Sequence, residues 1–125
     1  MRVADVMTSA SVTQSPADCL REAAAAMWKR QTGSLLIMDG DAVVGIVTER
    51  DLMKAVARGD DLDATPVSAV MTRDVLTVAP DTTVAEAARH MATRWIRHLP
   101  VVVDGRLVGI VSQRDLCKIL ATEAP

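Results

Sequence analysis

The sequence predicts a mixed α/β (α+β) protein built from two β-α-β-β-α repeats. Three observations predict it. The chain matches itself when shifted so that Val67 lies on Val3: Val3-Ala-Asp-Val-Met-Thr8 falls on Val67-Ser-Ala-Val-Met-Thr72, Glu22-Ala-Ala24 on Glu86-Ala-Ala88, Val44-Gly-Ile-Val47 on Val108-Gly-Ile-Val111, and Arg50-Asp-Leu52 on Arg114-Asp-Leu116. Each copy carries one apolar stripe at helical spacing and two short, nearly continuous apolar runs. Half of the 125 residues are hydrophobic, enough to bury a core without disulfides or metal. The repeats are expected at residues 1–62 and 63–125, joined by the polar, proline-terminated stretch Arg58–Pro66. Copies joined this way are expected to pair about a pseudo-twofold axis through their small sheets, leaving a cleft with two related ends.

Each repeat opens on a short β-branched segment, Val12-Thr13 and Leu76-Thr77-Val78, stopped by Pro16 and Pro80. A helix follows. Leu20, Ala23, Ala24, Met27 and Gln31 fall on one face, as do Val84, Ala87, Ala88, Met91 and Trp95. Thr83 and Glu86 have capping-box spacing; Cys19 is a weaker cap, so Asp18 is expected to serve in the first copy. Then come two strand pairs, Leu35–Met38 with Ala42–Val47 and Leu99–Val103 with Leu107–Val111. Their continuous apolarity predicts burial on both faces. Asp39-Gly40 and Asp104-Gly105 signal hairpins, offset by one position, so the turn types should differ. Helices from about Glu49 to Arg58 and from Gln113 to Thr122 close the repeats.

With 14 basic and 16 acidic side chains the net charge is -2, which argues against general nucleic-acid binding. The aliphatic content excludes a disordered tail. No apolar run spans a membrane, and the N-terminus has no signal-peptide core. Cys19 and Cys117 lie far apart without CxxC spacing, which fits reduced thiols in a cytoplasmic protein. No catalytic constellation or metal-ligand spacing is present, so a non-enzymatic, metal-free protein is expected. His90 reads as an ordinary surface or core histidine, and the Asp60-Asp61 pair as a solvated turn in the linker. Trp28 and Trp95 read as core or subunit contacts, and Met7, Met27, Met38, Met53, Met71 and Met91 as core filling.

The segments Gly45-Ile-Val-Thr-Glu-Arg-Asp51 and Gly109-Ile-Val-Ser-Gln-Arg-Asp115 each run a strand into a helix. Thr48 with Asp51, and Ser112 with Asp115, have the spacing of a capping box and need no ligand to explain them. The glycines can simply mark a bulge. The same groups also suit a nucleotide. A helix start offers amide donors to phosphate; Thr48 or Ser112 adds a hydroxyl, and Arg50 or Arg114 a guanidinium fork. An ionised carboxylate only accepts hydrogen bonds, so Asp51 and Asp115 suit a ribose diol. The residues alone leave cap and nucleotide evenly matched.

From about Val3 to Ala121, the paired Val-Met-Thr segments, Ile96-Arg-His-Leu-Pro-Val-Val102 and the twice-occurring Gly-Ile-Val-[Thr/Ser]-x-Arg-Asp-Leu resemble tandem cystathionine β-synthase (CBS) domains, a Bateman module. The resemblance implies an adenosine ligand: AMP, ADP or ATP, with S-adenosylmethionine or NAD as alternatives. It places Asp51 and Asp115 at the ribose, Thr48 and Ser112 at ribose or phosphate, and Arg97 and His98 at phosphate, beside Arg50 and Arg114 as the candidates for ribose or phosphate that the residues themselves offer. Thr13, Ser34, Thr77 and Pro100 are expected at the adenine slot. Gly33-Ser34-Leu35-Leu36 replaces Arg97-His98-Leu99-Pro100 in the first copy, so the end with His98 is expected to prefer more phosphate charge. The resemblance further implies a homodimer paired through helices. Since the chain begins with Met and the repeats fill it, the output is expected on a separate effector protein. The rival reading is an interaction module with empty clefts.

Overall fold

The computed structural model describes residues 1–8, 13–94 and 96–123; Val12, Trp95 and the Leu120 side chain fall outside the description. The elements are a 3-10 turn at Val3–Asp5, β1 (Thr13–Gln14), α1 (Leu20–Arg30), β2 (Ser34–Asp39), β3 (Ala42–Thr48), α2 (Glu49–Arg58), a 3-10 turn at Val67–Ala69, α3 (Val84–Arg94), β4 (His98–Val103), β5 (Arg106–Ser112) and α4 (Gln113–Glu123). They fall into two compact units, Ser11–Val75 and Met1–Ala10 with Leu76–Pro125.

The units therefore do not follow the sequence repeats at their N-terminal ends. Val3 is fully buried in a core with Val78, Ala87, Met91, Leu99, Val101, Val111 and Leu116 of the second repeat. Val67, its counterpart, is fully buried with Leu20, Ala23, Met27, Leu35, Ile37, Val47 and Ala55 of the first. Backbone bonding repeats at the same spacing. Val3 N donates to Thr82 O (2.8 Å), Ala4 N to Pro80 O (2.9 Å) and Val84 N to Met1 O (3.1 Å). Val67 N donates to Asp18 O (2.7 Å), Ser68 N to Pro16 O (3.2 Å) and Leu20 N to Thr65 O (3.0 Å). Each Val-x-x-Val-Met-Thr segment completes the core of the repeat it does not begin. The linker is accordingly no free tether: Leu62 packs on the first core, Arg21 N donates to Leu62 O, and Arg21 pairs with Asp63. Asp60, expected in a solvated turn, pairs with Arg58 at 2.9 Å.

In the first unit β1 runs parallel to β2, and β2 antiparallel to β3. In the second, β4 and β5 are antiparallel, and the expected strand Leu76–Val78 contracts to a single parallel bridge between Val78 and Val101. Both hairpins carry a bulge. Ile37 faces Gly45 but Met38 faces Val43, leaving Val44 extra; Val101 faces Gly109 but Val102 faces Leu107, leaving Val108 extra. The turns differ as expected. Asp104 and Gly105 both have positive φ, which fits a type I′ turn, whereas Gly40 leads Asp41 as the one positive φ, which fits type II′.

Burial on both faces holds for β2 over Ser34–Ile37 and for β4 over Leu99–Val101, but β3 and β5 alternate, because Val47 and Val111 enter the cores while their neighbours in the strand do not. The α1 stripe is narrower than expected: Leu20, Ala23 and Met27 are buried, Ala24 and Gln31 exposed. Ala88 is likewise exposed on α3. Asp18 does not cap α1. Glu22 Oε1 accepts from Cys19 N at 3.2 Å, which holds that carboxyl below its ordinary range, while Asp18 accepts from Ser15 N and closes the preceding turn. Trp28 is 78% and Met53 66% exposed, so neither is core; Met27 and Met91 are.

Candidate functional site

The strand-to-helix junctions hold the residues that the sequence singles out, one set per unit. In the first, β2 begins at Ser34 and β3 ends at Thr48, and these two face each other in register. Glu49 N donates to Gly33 O at 2.9 Å, which ties the first turn of α2 to the start of β2. In the second, His98 faces Ser112, and Gln113 N donates to Arg97 O at 2.7 Å. Position by position the sets correspond, and their chemistry differs: Gly33, Ser34 and Glu49 stand where Arg97, His98 and Gln113 stand.

Both aspartates are turned onto their own backbone. Asp51 Oδ2 accepts from Thr48 N at 2.9 Å and from Thr48 Oγ1 at 3.1 Å, and Thr48 Oγ1 accepts from Asp51 N at 3.3 Å. Asp115 Oδ2 accepts from Ser112 N at 3.0 Å, and Ser112 Oγ accepts from Asp115 N at 3.1 Å. These are reciprocal capping boxes, so the cap half of the two-way reading is present. Every one of these carboxylate bonds uses Oδ2; Oδ1 of each half-buried aspartate has none among the described residues. A carboxylate oxygen accepts two hydrogen bonds, so capping leaves an acceptor on each for a diol.

The caps also spend most of the amides expected for phosphate. In α2 the Glu49 amide goes to Gly33 O and the Asp51 amide to Thr48 Oγ1; in α4 the Gln113 and Asp115 amides are committed in the same way. Among the described residues the amides of Arg50 and Arg114 have no partner outside their helices and remain as first-turn donors. The Arg50, Arg97 and Arg114 side chains are exposed. His98 is half-buried. Burial pushes its imidazole below the ordinary range, Asp115 pulls it back up, and Arg97 lowers it further.

The residues expected at the adenine slot scatter in exposure. Thr13 is exposed on β1 opposite Leu36, Ser34 is buried, and Thr77 is half-buried. Pro100 is fully buried opposite Ile110, and its carbonyl accepts from Val78 N. A ring can therefore reach Pro100 only by displacing its neighbours.

Sequence reasoning missed what the glycines are for. A Cβ at Gly45 would lie 2.8 Å from Met71 Cγ and nearer still to its sulfur. One at Gly109 would lie 2.8 Å from Met7 Sδ and 3.0 Å from the Thr8 carbonyl. Thr8 bridges Ile110 and Thr72 bridges Ile46, so the Val-Met-Thr segment lies on the strand that leads to each cap. The signal was available: both motifs recur at one common spacing. Glu49 was missed as well. Its Oε1 lies 3.2 Å from where a Gly33 Cβ would stand, so the glycine leaves room for a carboxylate at that junction.

A family profile described as CBS domain matches residues 3–58 and 67–122. The CBS domain-containing protein YhcV of Bacillus subtilis is 36% identical over 115 residues, covering 91% of this chain and 81% of that protein. A solved CBS-domain containing protein from Agrobacterium tumefaciens superposes with a TM-score of 0.87 at 33% identity, over 96% of this chain and 99% of that one. The CBS domain pair of protein MJ0100, solved in complex with 5′-methylthioadenosine and S-adenosyl-L-methionine, superposes with a TM-score of 0.91 at 30% identity, over 99% and 98% of the two chains.

Proposed function

Since this chain belongs to the CBS domain family and carries two such domains, we propose that it is a non-enzymatic regulatory module that binds an adenosine-containing ligand, with AMP, ADP or ATP first in line. The observation that carries the reading is the junction built twice: a capped helix start that retains one aspartate oxygen and one first-turn amide. An acceptor for a diol beside a donor for a 5′ group describes an adenosine ligand. The adenosyl ligands held by the MJ0100 pair support that class. Arg97, Arg114 and His98 favour a phosphate at the second junction. Ligand acts by population shift: it stabilises one arrangement of the module, and a separate effector protein responds to it.

We further propose a homodimer. Trp28 on α1 and Met53 and Val56 on α2 are 78%, 66% and 60% exposed, and large apolar groups left in water favour a partner surface. The reciprocal caps favour one other reading, an interaction module whose aspartates serve stability alone.

A thermal-shift panel of AMP, ADP, ATP, NAD, S-adenosylmethionine, 5′-methylthioadenosine and 2′-deoxy-AMP separates these. A ligand at 100 times its Kd adds about 2.7 kcal/mol, on the order of several degrees for a domain of this size. The proposal expects a response to at least one adenosine nucleotide and a weaker one to the deoxy compound. Silence across the panel leaves the interaction module standing.

A further inference from the structure

We propose that the two junctions select adenosine ligands of opposite charge, with Glu49 setting the preference of the first: Arg97 and Gln113 suit an anionic 5′ group, while Gly33 and Glu49 suit a neutral or cationic one. This rests on the adenosine reading above and names the ligand class at each of its two sites. The argument begins from the backbone. The hydrogen bond from Glu49 N to Gly33 O, and from Gln113 N to Arg97 O, pins residue 33 or 97 against the first turn of the helix. Any ligand group that approaches the remaining amide, of Arg50 or Arg114, therefore meets the side chains at 33 and 49 or at 97 and 113.

At the second junction those side chains are an exposed guanidinium and a neutral amide, with half-buried His98 beside them. At the first, residue 33 has no side chain and the Glu49 carboxylate lies against it, with Oε1 3.2 Å from where a Cβ would stand. Glu49 is in no ion pair or side-chain hydrogen bond among the described residues. The caps are made by Thr48 and Asp51 without it, so its charge serves α2 only through the helix dipole of the first turn. Arg50 and Arg114 are common to both junctions and cancel in the comparison. A phosphate dianion is repelled by a carboxylate at the first site and attracted by a guanidinium at the second; a sulfonium cation inverts both signs.

The test is calorimetric titration of the full chain with AMP, adenosine and S-adenosylmethionine, which differ in charge at the 5′ end. Glu49→Gln and Gln113→Glu are compared with the unaltered chain, and Asp51→Asn and Asp115→Asn assign each site. Glu49→Gln is expected to tighten AMP and weaken S-adenosylmethionine at the first site by about two- to fivefold each, the scale of one exposed charge, with adenosine unmoved. Gln113→Glu should do the reverse at the second site. If adenosine binds but the variants leave the AMP-to-S-adenosylmethionine ratio unchanged, or shift all three ligands together, the inference is overturned. If none of the three binds the unaltered chain, the adenosine reading itself fails.

Discussion

Thr48 and Asp51 hold each other. The Asp51 carboxylate takes the Thr48 amide and hydroxyl through Oδ2, and the Thr48 hydroxyl takes the Asp51 amide. Ser112 and Asp115 repeat the two amide bonds of this pair in the second unit. Asparagine keeps a cap acceptor but loses the charge. Asp115→Asn should therefore leave stability nearly intact, whereas Asp115→Ala should cost about 1 kcal/mol by thermal unfolding. Both should weaken adenosine-ligand binding at that site, by roughly 1.5–3 kcal/mol for alanine. Full affinity in Asp115→Asn would mark the aspartate as a cap alone.

Alanine at Gly45 or Gly109 should destabilise by about 1–3 kcal/mol, as overpacking does. The two should differ in rescue. Relief at Gly45 depends on the Met71 side chain, so Met71→Ala should recover much of the loss. At Gly109 the Thr8 carbonyl also intrudes, so Met7→Ala should recover less. Double-mutant cycles on unfolding free energies measure the difference.

Val3→Ala should cost about 1–3 kcal/mol, the range for opening a cavity in a packed core. The damage should appear in the second repeat. Amide hydrogen exchange should accelerate in α3, β4 and β5 for Val3→Ala, and in α1, β2 and β3 for Val67→Ala. Exchange confined to each variant's own sequence repeat would contradict the packing described.

His98 should impose an acid limit on stability. Its folded value lies below the ordinary 6.5 because burial disfavours the imidazolium. The unfolded chain therefore binds the proton more tightly, so stability rises with pH in that window. The contribution is complete above about 6.5, falls as the pH drops through the lower folded value, and then levels off. His98→Gln should flatten unfolding profiles between about pH 7 and pH 5 relative to the unaltered protein.

Trp28→Glu combined with Met53→Lys should raise the monomer fraction in light scattering after size-exclusion chromatography, without lowering the melting point of the fold. Both side chains are exposed in the unit, so the change removes a contact surface and spares the core. An unchanged mass would overturn the assignment of this face as the dimer contact.

The duplication, the helices and the hairpins were legible because each rests on local signals. The helical spacing of Leu20, Ala23 and Met27 and the Asp-Gly turns need no tertiary information. The α2 limits, Glu49–Arg58, agree with the reading from Thr48 and Asp51 at its start, and Gly59, with a φ of 80°, ends the helix. Tertiary exchange was not legible. Nothing local to Val3 says that its partners are Met91 and Leu99 rather than Leu20 and Leu35, since the two cores offer matching seats. Composition likewise could not tell that Trp28 faces water. The candidate pairs Thr48 with Asp51 and Ser112 with Asp115 were picked out by spacing, and Arg97 and His98 only by the family resemblance, but the division of labour inside Asp51 and Asp115, one oxygen for the helix and one left over, is a matter of rotamer and not of sequence.

The exchange of Val3 and Val67 between cores sets an order of assembly during synthesis. The first core is complete once Val67 and Met71 have emerged, so residues 11–75 can close while the rest is still being made. Val3, made before either core, has no seat until Val78 through Leu116 follow it, a wait of seconds at about 5–20 residues per second. Until then the Val3 segment is without its core, and the second repeat captures it once its strands and helices are made.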